Sequence, residues 1–305
     1  MVTLRVLGSA AGGGFPQWNC NCPNCAGVRR GTVRATPRTQ SSIALSENGS
    51  DWLLVNASPD ILAQVRATPA LQPARSQRDS GIAAVLLMDA QIDHVTGLLM
   101  LREHGRPLPL YATAPVLADL DQAFPLRRIL SHYCGLEAHP LPLDGSALRL
   151  AALPSLALTP VPLDSKAPPY SPNREATQHG DNIGLRVVDT RSGARLFYAP
   201  GLGAIEPHVM AELQAADVVL VDGTFWQDDE MPKLGLSAKR ARDMGHLAQS
   251  GPGGMIEVLD AVPRARKILI HINNTNPILD EDSPQRRRLA AHGIEVAWDG
   301  MEIAL

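Results

Sequence analysis

The chain has 305 residues, 45% of them hydrophobic, and a formal net charge of -3 from 28 basic and 31 acidic side chains. That length and apolar content allow one large α/β domain or two smaller ones. The near-balance of charge supplies no broad positive field for nucleic acid or anionic lipid, which favours a small molecule or a peptide as the partner.

The opening Met1-Val-Thr-Leu-Arg-Val-Leu-Gly lacks the charged region, apolar stretch and small-residue cleavage site of a secretory signal, and reads as a first strand over Val2 to Leu7. Charges, Pro or Gly interrupt every later apolar run before the roughly 18 residues that a bilayer span needs. A cytoplasmic protein without membrane insertion is the expectation. The run Gly8 to Gly14 has no Gly-Lys-Ser/Thr ending and no helix-forming stretch behind it, so it does not read as a nucleotide loop. Its glycines allow backbone to pass close to a pocket.

Cys20-Asn-Cys22-Pro-Asn-Cys25 then places three thiols within six positions. In a reducing compartment a structural disulfide is unusual, and gaps of one and two residues let three sulfurs curl toward one zinc ion. A fourth ligand must come from elsewhere, because structural zinc sites are closed and tetrahedral. Cys134 stands alone and reads as a buried, inert thiol.

Ser42 to Leu45 and Trp52 to Asn56 read as strands, as does the uniformly apolar Gly81 to Met88, which stops at Asp89. Beyond it, in Asp89-Ala-Gln91-Ile-Asp93-His94, alternation lets Asp89, Gln91 and Asp93 point the same way, although an Asp-His pair there also suits a helix start. Helical spacing follows over Thr96 to Glu103, then a strand at Leu110 to Ala112. The five prolines between Pro160 and His179 predict a long surface loop, a place where functional lids occur. Arg195 to Ala199, Val218 to Val221 and Lys267 to Ile270 are further strands ending in polar residues, so that Asp222 and His271 join the acidic-histidine loop at strand C-terminal ends, where layered α/β proteins bind ligands. Gln227 to Asp243 reads as an exposed helix or insertion. No linker or repeat interrupts the chain, which is expected to form a single domain over residues 1–305.

Asp89-x-Gln91-x-Asp93-His94 resembles the His-x-His-x-Asp-His signature of the metallo-β-lactamase superfamily. Val219-Leu-Val-Asp222-Gly223-Thr224 resembles its strand-end aspartate, Ile268-Leu-Ile-His271 its last histidine ligand, and Gly245-His246 the Gly-His element of its tRNase Z and phosphodiesterase branch. Blocks such as Gly8 to Cys22, Asn56-Ala-Ser-Pro-Asp60, Ala199-Pro-Gly201 and His271-Ile-Asn-Asn-Thr-Asn-Pro277 make the likeness greatest to the PQQ biosynthesis protein B family. The resemblance implies an α/β layered αββα sandwich. It also implies one active-site metal held by Asp93, His94, Asp222 and His271, because Asp89 and Gln91 replace the two leading histidines that a dinuclear hydrolase requires. By the same resemblance Asp89, Gln91 and His246 are catalytic, positioning substrate or moving protons, and Asn274 stands where related phosphodiesterases place the histidine that closes the cysteine zinc site. Two histidines with carboxylates resemble the ligand set of non-heme iron oxygenases. The expected function is therefore Fe2+- and O2-dependent hydroxylation of a tyrosine-derived, Glu-Tyr cross-linked precursor of pyrroloquinoline quinone (PQQ). A non-catalytic carrier that moves PQQ or its precursor toward the periplasm is the alternative, and residual hydrolysis a third.

Overall fold

The computed structural model describes residues 2–305; Met1, with which the expected single domain begins, lies outside them. Its strands are β1 (Thr3–Gly8), β2 (Ser42–Ser46), β3 (Trp52–Val55), β4 (Ile82–Leu86), β5 (Leu108–Ala112), β6 (Leu136–Pro140) and β7 (Leu148–Leu150). There follow β8 (Leu153–Pro162), β9 (Ile183–Asp189), β10 (Arg195–Ala199), β11 (Val218–Asp222), β12 (Arg266–Ile270), β13 (Ile294–Val296) and β14 (Glu302–Ala304). The chain folds into two compact units, each gathered from separated segments. The first holds the described residues through Leu7, Ser42–Ala194 and Gly300–Leu305, and the second holds Gly8–Ser41 and Arg195–Asp299.

In the first unit one sheet runs β14-β1-β2-β3-β4-β5-β6. Pairing is parallel from β3 through β6 and antiparallel for β14 with β1 and for β2 with β3. The parallel part is made by strand, helix, strand units, in which Ile61–Ala67 and Ala114–Gln122 pack apolar side chains such as Ile61, Val116 and Leu120 against Leu54, Val85 and Leu110. Covered strands of this kind are hydrophobic along their whole length, which explains the run Ile82–Leu86. Strands β7, β8 and β9 pair antiparallel in succession.

The expected helix over Thr96 to Glu103 is instead two single-turn helices, Ile92–Val95 and Gly97–Met100, the first starting at the motif itself. The break falls at Thr96, and the second helix starts at Gly97, where a Cβ would lie 2.2 Å from the Ser58 carbonyl oxygen. The expected loop from Pro160 is shorter, because Pro160 and Pro162 belong to β8. Pairing of β7 reaches only Leu158, so these prolines lie where β8 has a neighbour on one side alone, and their missing N–H groups cost no ladder bond there. Cys134 is half-buried rather than buried, with its thiol pKa raised by burial.

The second unit repeats the parallel plan with β10, β11, β12 and β13 paired in that order. Helices Pro207–Ala215, Met255–Asp260 and Pro284–Ala291 lie between successive strands in the chain. Every residue of β11 is buried, and the strand ends on Asp222. Both units thus deliver polar residues at the C-terminal ends of parallel strands. Among the described residues no helix is long and apolar enough to cross a membrane.

Candidate metal centres

In the first unit the acidic-histidine loop leaves β4 through Met88. Asn56 prepares that exit. It is fully buried with a left-handed φ of 61°, a conformation an asparagine tolerates better than most residues, and its side-chain oxygen accepts from Met88 N–H at 3.0 Å. Asp89 then accepts from Gln91 N–H at 2.9 Å, closing an Asx turn, and its same Oδ1 lies 2.7 Å from His94 Nδ1. A carboxylate on Nδ1 fixes ring orientation and leaves Nε2 as the outward-acting nitrogen. Asp93 stands beside that nitrogen, its Oδ2 3.7 Å from Nε2. Burial opposes protonation of His94, but the neighbouring Asp89 and Asp93 charges outweigh it and raise the pKa to about 9. Gln91 is half-buried at the N-terminus of helix Ile92–Val95, without a capping bond from its side chain. Tyr170 donates from its hydroxyl to the Ala90 carbonyl, so the proline-rich segment after β8 holds this loop from outside.

The second unit brings Asp222, His246 and His271 together, with one potential ligand atom from each within 4.8 Å of the others. Asp222 is fully buried. Its Oδ1 accepts from Thr224 N–H at 2.9 Å and from the Thr224 hydroxyl at 2.6 Å. Its Oδ2 accepts from Leu202 N–H at 2.9 Å and lies 2.7 Å from His246 Nδ1. Burial alone would push Asp222 up, yet His246, His271 and Thr224 together hold it below the ordinary carboxylate range. His246 and His271 stack with ring centroids 5.3 Å apart. His271 has φ 59°, a backbone conformation costing of order 1–3 kcal/mol for a non-glycine residue and often found at functional sites.

Cys20, Cys22 and Cys25 form a second buried cluster in this unit. The Asn274 side-chain amide lies 3.1 Å from the sulfur of Cys20, 3.6 Å from Cys22 and 3.4 Å from Cys25. The residue expected at the fourth position is therefore on the sulfur cluster, and rotation of its amide would exchange nitrogen for oxygen there. Pro23 starts the helix Pro23–Arg30 inside the motif, which sets Cys22 and Cys25 on one turn. Burial pushes the Cys22 thiol up to about 12. For Cys20 burial acts the same way, but hydrogen bonds from Cys22, Cys25 and Asn274 bring the net shift downward.

Each expected site residue therefore has a defined setting. Asp89, Gln91, Asp93 and His94 share one loop of the first unit, and Asp222, His246, His271, the three cysteines and Asn274 belong to the second. Two features escaped the sequence reading. His246, expected only as a catalytic group, also stands within ligand distance of Asp222 and His271. Thr224 is the polar hub among all three, although its motif drew attention only to Asp222. The remaining histidines, His104, His132, His139, His179, His208 and His292, are half-buried or exposed, in keeping with surface roles.

A beta-lactamase superfamily domain model matches residues 51–272. The coenzyme PQQ synthesis protein B of Cupriavidus necator is 73% identical over 305 residues, covering 100% of both chains. That of Azoarcus is 64% identical over 303 residues, covering 99% of each. Among solved structures, the Zn(2+)-bound PqqB from Methylobacterium extorquens superposes with a TM-score of 0.89 at 38% identity, over 99% of this chain and 100% of that one. A diphosphatase of the PhnP family, 19% identical with a TM-score of 0.69 over 100% of this chain and 98% of its own, shares the fold. The expected αββα metallo-β-lactamase fold is thereby shown, and the chain belongs to the coenzyme PQQ synthesis protein B family of the beta-lactamase superfamily.

Proposed function

We propose that this chain works in PQQ biosynthesis as an Fe2+- and O2-dependent hydroxylase of a small, tyrosine-derived, Glu-Tyr cross-linked precursor. The observation that carries the reading is the loss of the hydrolase's first ligand set beside retention of the second. Asp89 takes a leading histidine's place and is turned onto His94 Nδ1 at 2.7 Å, where it orients a ligand. Gln91 takes the other. Asp93, His94, Asp222 and His271 would hold the ion, a nitrogen and carboxylate set that suits ferrous iron with positions left for other ligands. A ferrous ion bound there supplies O2 binding and activation.

The chain's own groups supply the rest. His246, whose Nδ1 lies 2.7 Å from Asp222 Oδ2, would hold or move a proton of the precursor. Asp89 and Gln91 set the shape and polarity of the loop beside it. Cys20, Cys22 and Cys25 would hold a structural Zn2+, with Asn274 as fourth partner, since a three-thiolate cluster suits that ion. Zinc bound in the Methylobacterium extorquens protein supports metal binding in general. The free cysteines fit a reducing, cytoplasmic setting, and the chain is read as one functional domain.

The test is anaerobic loading of the purified chain with Fe(II), then addition of the precursor, 18O2 and ascorbate as the two-electron reductant. One labelled oxygen in the tyrosine-derived ring is the expected product. Tight precursor binding without turnover would turn the reading into a carrier, and hydrolysis of the precursor into a residual hydrolase. Asp93→Ala and His271→Ala are expected to abolish iron uptake while zinc remains. Iron retained at wild-type stoichiometry in both would refute the ligand assignment.

A further inference from the structure

The segment between β8 and β9, residues 163–182, has no helix or strand of its own, yet it is tied down along its length within the first unit. Loops this long in compact folds are commonly functional. Its ends are clasped: Leu163 N–H donates to the Asn182 carbonyl at 3.0 Å, and the Asn182 side-chain amide donates to the Ser165 and Lys166 carbonyls at 3.0 and 3.1 Å. The Thr113 hydroxyl donates to the Gly180 carbonyl at 2.6 Å. Between these fixings, adjacent residues tie the segment to two different elements. Ser171 donates to Asp119 Oδ1 at 2.8 Å, on the helix Ala114–Gln122, and Tyr170 donates to the Ala90 carbonyl inside the acidic-histidine loop. Ala90 and Asp119 are both buried. Burial first, then the Asp119 and Asp89 charges, hold the Tyr170 phenol above its ordinary range, so it keeps its proton and donates.

What the Tyr170 hydroxyl grips is one end of a peptide plane. The Ala90 carbonyl and the Gln91 N–H belong to the same planar unit, so fixing one fixes the other. That N–H donates to Asp89 Oδ1 at 2.9 Å, and the same oxygen lies 2.7 Å from His94 Nδ1. Donation to the carbonyl also polarises the amide and strengthens the bond its N–H gives the carboxylate. We propose that Tyr170 is a positioning residue for the metal centre, acting through the Ala90–Gln91 peptide and the Asp89 carboxylate to set the His94 ring. The inference rests on the reading of His94 as an iron ligand and extends the orienting chain from Asp89 to the proline-rich segment. Phe124, whose ring centroid lies 5.8 Å from that of Tyr170, and the neighbouring Ser171 hold the phenol in place. Phenylalanine at this position keeps the packing and removes the proton given to the buried Ala90 carbonyl, so the peptide plane loses that restraint.

The zinc-containing full chain is titrated anaerobically with Fe(II), comparing wild type, Tyr170→Phe, Asp89→Asn, the double variant and His94→Ala. Loss of a group that orders a metal-bound histidine weakens affinity roughly 10- to 100-fold in general, and Tyr170, one step further out than Asp89, is expected at about tenfold. Because it acts through Asp89, the same change is expected to cost under about threefold in the Asp89→Asn background. A residue that merely braces the fold would lower the melting temperature in both backgrounds alike, without this coupling in iron affinity. Wild-type affinity in Tyr170→Phe, or an undiminished loss in the double variant, overturns the inference and leaves His94 as a ligand. Wild-type affinity in His94→Ala overturns the ligand reading itself, and this inference with it. Should Tyr170→Phe not fold, amide exchange of the wild type decides: coupling is reciprocal, so Fe(II) is expected to slow exchange within residues 163–182, and rates unchanged by Fe(II) overturn the proposal.

Discussion

Glu230 offers a prediction that does not depend on any bound ion. It opens the short helix Glu230–Lys233 and is 7% exposed, with Oε1 accepting from the Thr275 hydroxyl at 2.5 Å and Oε2 from Trp226 N–H at 2.8 Å. Burial raises its pKa from 4.5 to about 7, and those two bonds only partly offset the rise. Between these values the folded chain keeps a proton that the unfolded chain releases. The protonated group's contribution is therefore complete below the unfolded value of 4.5 and is lost as pH rises through about 7. The interval of 7 − 4.5 units, at about 1.4 kcal/mol per unit, amounts to about 3 kcal/mol as an order of magnitude. Glu230→Gln keeps the shape and the neutral form at every pH. Urea unfolding of both chains from about pH 5 to about pH 8 should show the variant gaining on wild type as pH rises, by most of that amount. Taking the difference cancels groups common to both chains. A difference flat across this range, or one that falls, would refute the reasoning and place an ionised carboxylate at Glu230 in the fold.

Three further outcomes follow from the site geometry. Asp89→Asn weakens the bond that orders His94, and Fe(II) affinity should fall roughly 10- to 100-fold with no change in the cysteine-bound zinc; equal affinity by anaerobic titration would remove Asp89 from its orienting role. Gly97→Ala places a Cβ 2.2 Å from Ser58 O and 2.6 Å from Ala57 O, both backbone atoms that cannot swing aside, and should cost about 3 kcal/mol or more in urea unfolding while disturbing the loop that carries His94. Cys25→Ser should lower the melting temperature by several degrees and release zinc by elemental analysis, with an unchanged melting curve counting against a structural ion there.

How far the chain could be read in advance depended on whether a residue's partners lie near it in sequence. Strands β4, β10, β11 and β12 were legible because burial on both faces leaves an uninterrupted apolar signal, and a polar residue ending such a run marks a strand end. Asp89, Asp93, His94, Asp222 and His271 stand out as candidates by that rule together with their resemblance to a known signature. Strands β6 and β9 were missed. In β6 no residue is fully buried, so edge position erases the periodicity, and in β9 Gly184 and Arg186 interrupt it. The prolines of β8 misled for a related reason, since proline is a breaker only where its absent N–H would have had a partner.

Thr224 and Asn56 are the deeper case. Neither has an ionisable or metal-binding side chain, and each acts through atoms that only folding supplies: Asn56 on the amide of Met88, Thr224 on two histidines 22 and 47 residues downstream. A ligand can be recognised by residue type, because few side chains bind metal. The groups that orient it are ordinary hydroxyls and amides, which are common everywhere in a chain and become distinguishable only once burial removes water as their partner. At this centre one Thr224 hydroxyl meets Asp222, His246 and His271 together, a convergence that no spacing in the sequence announces.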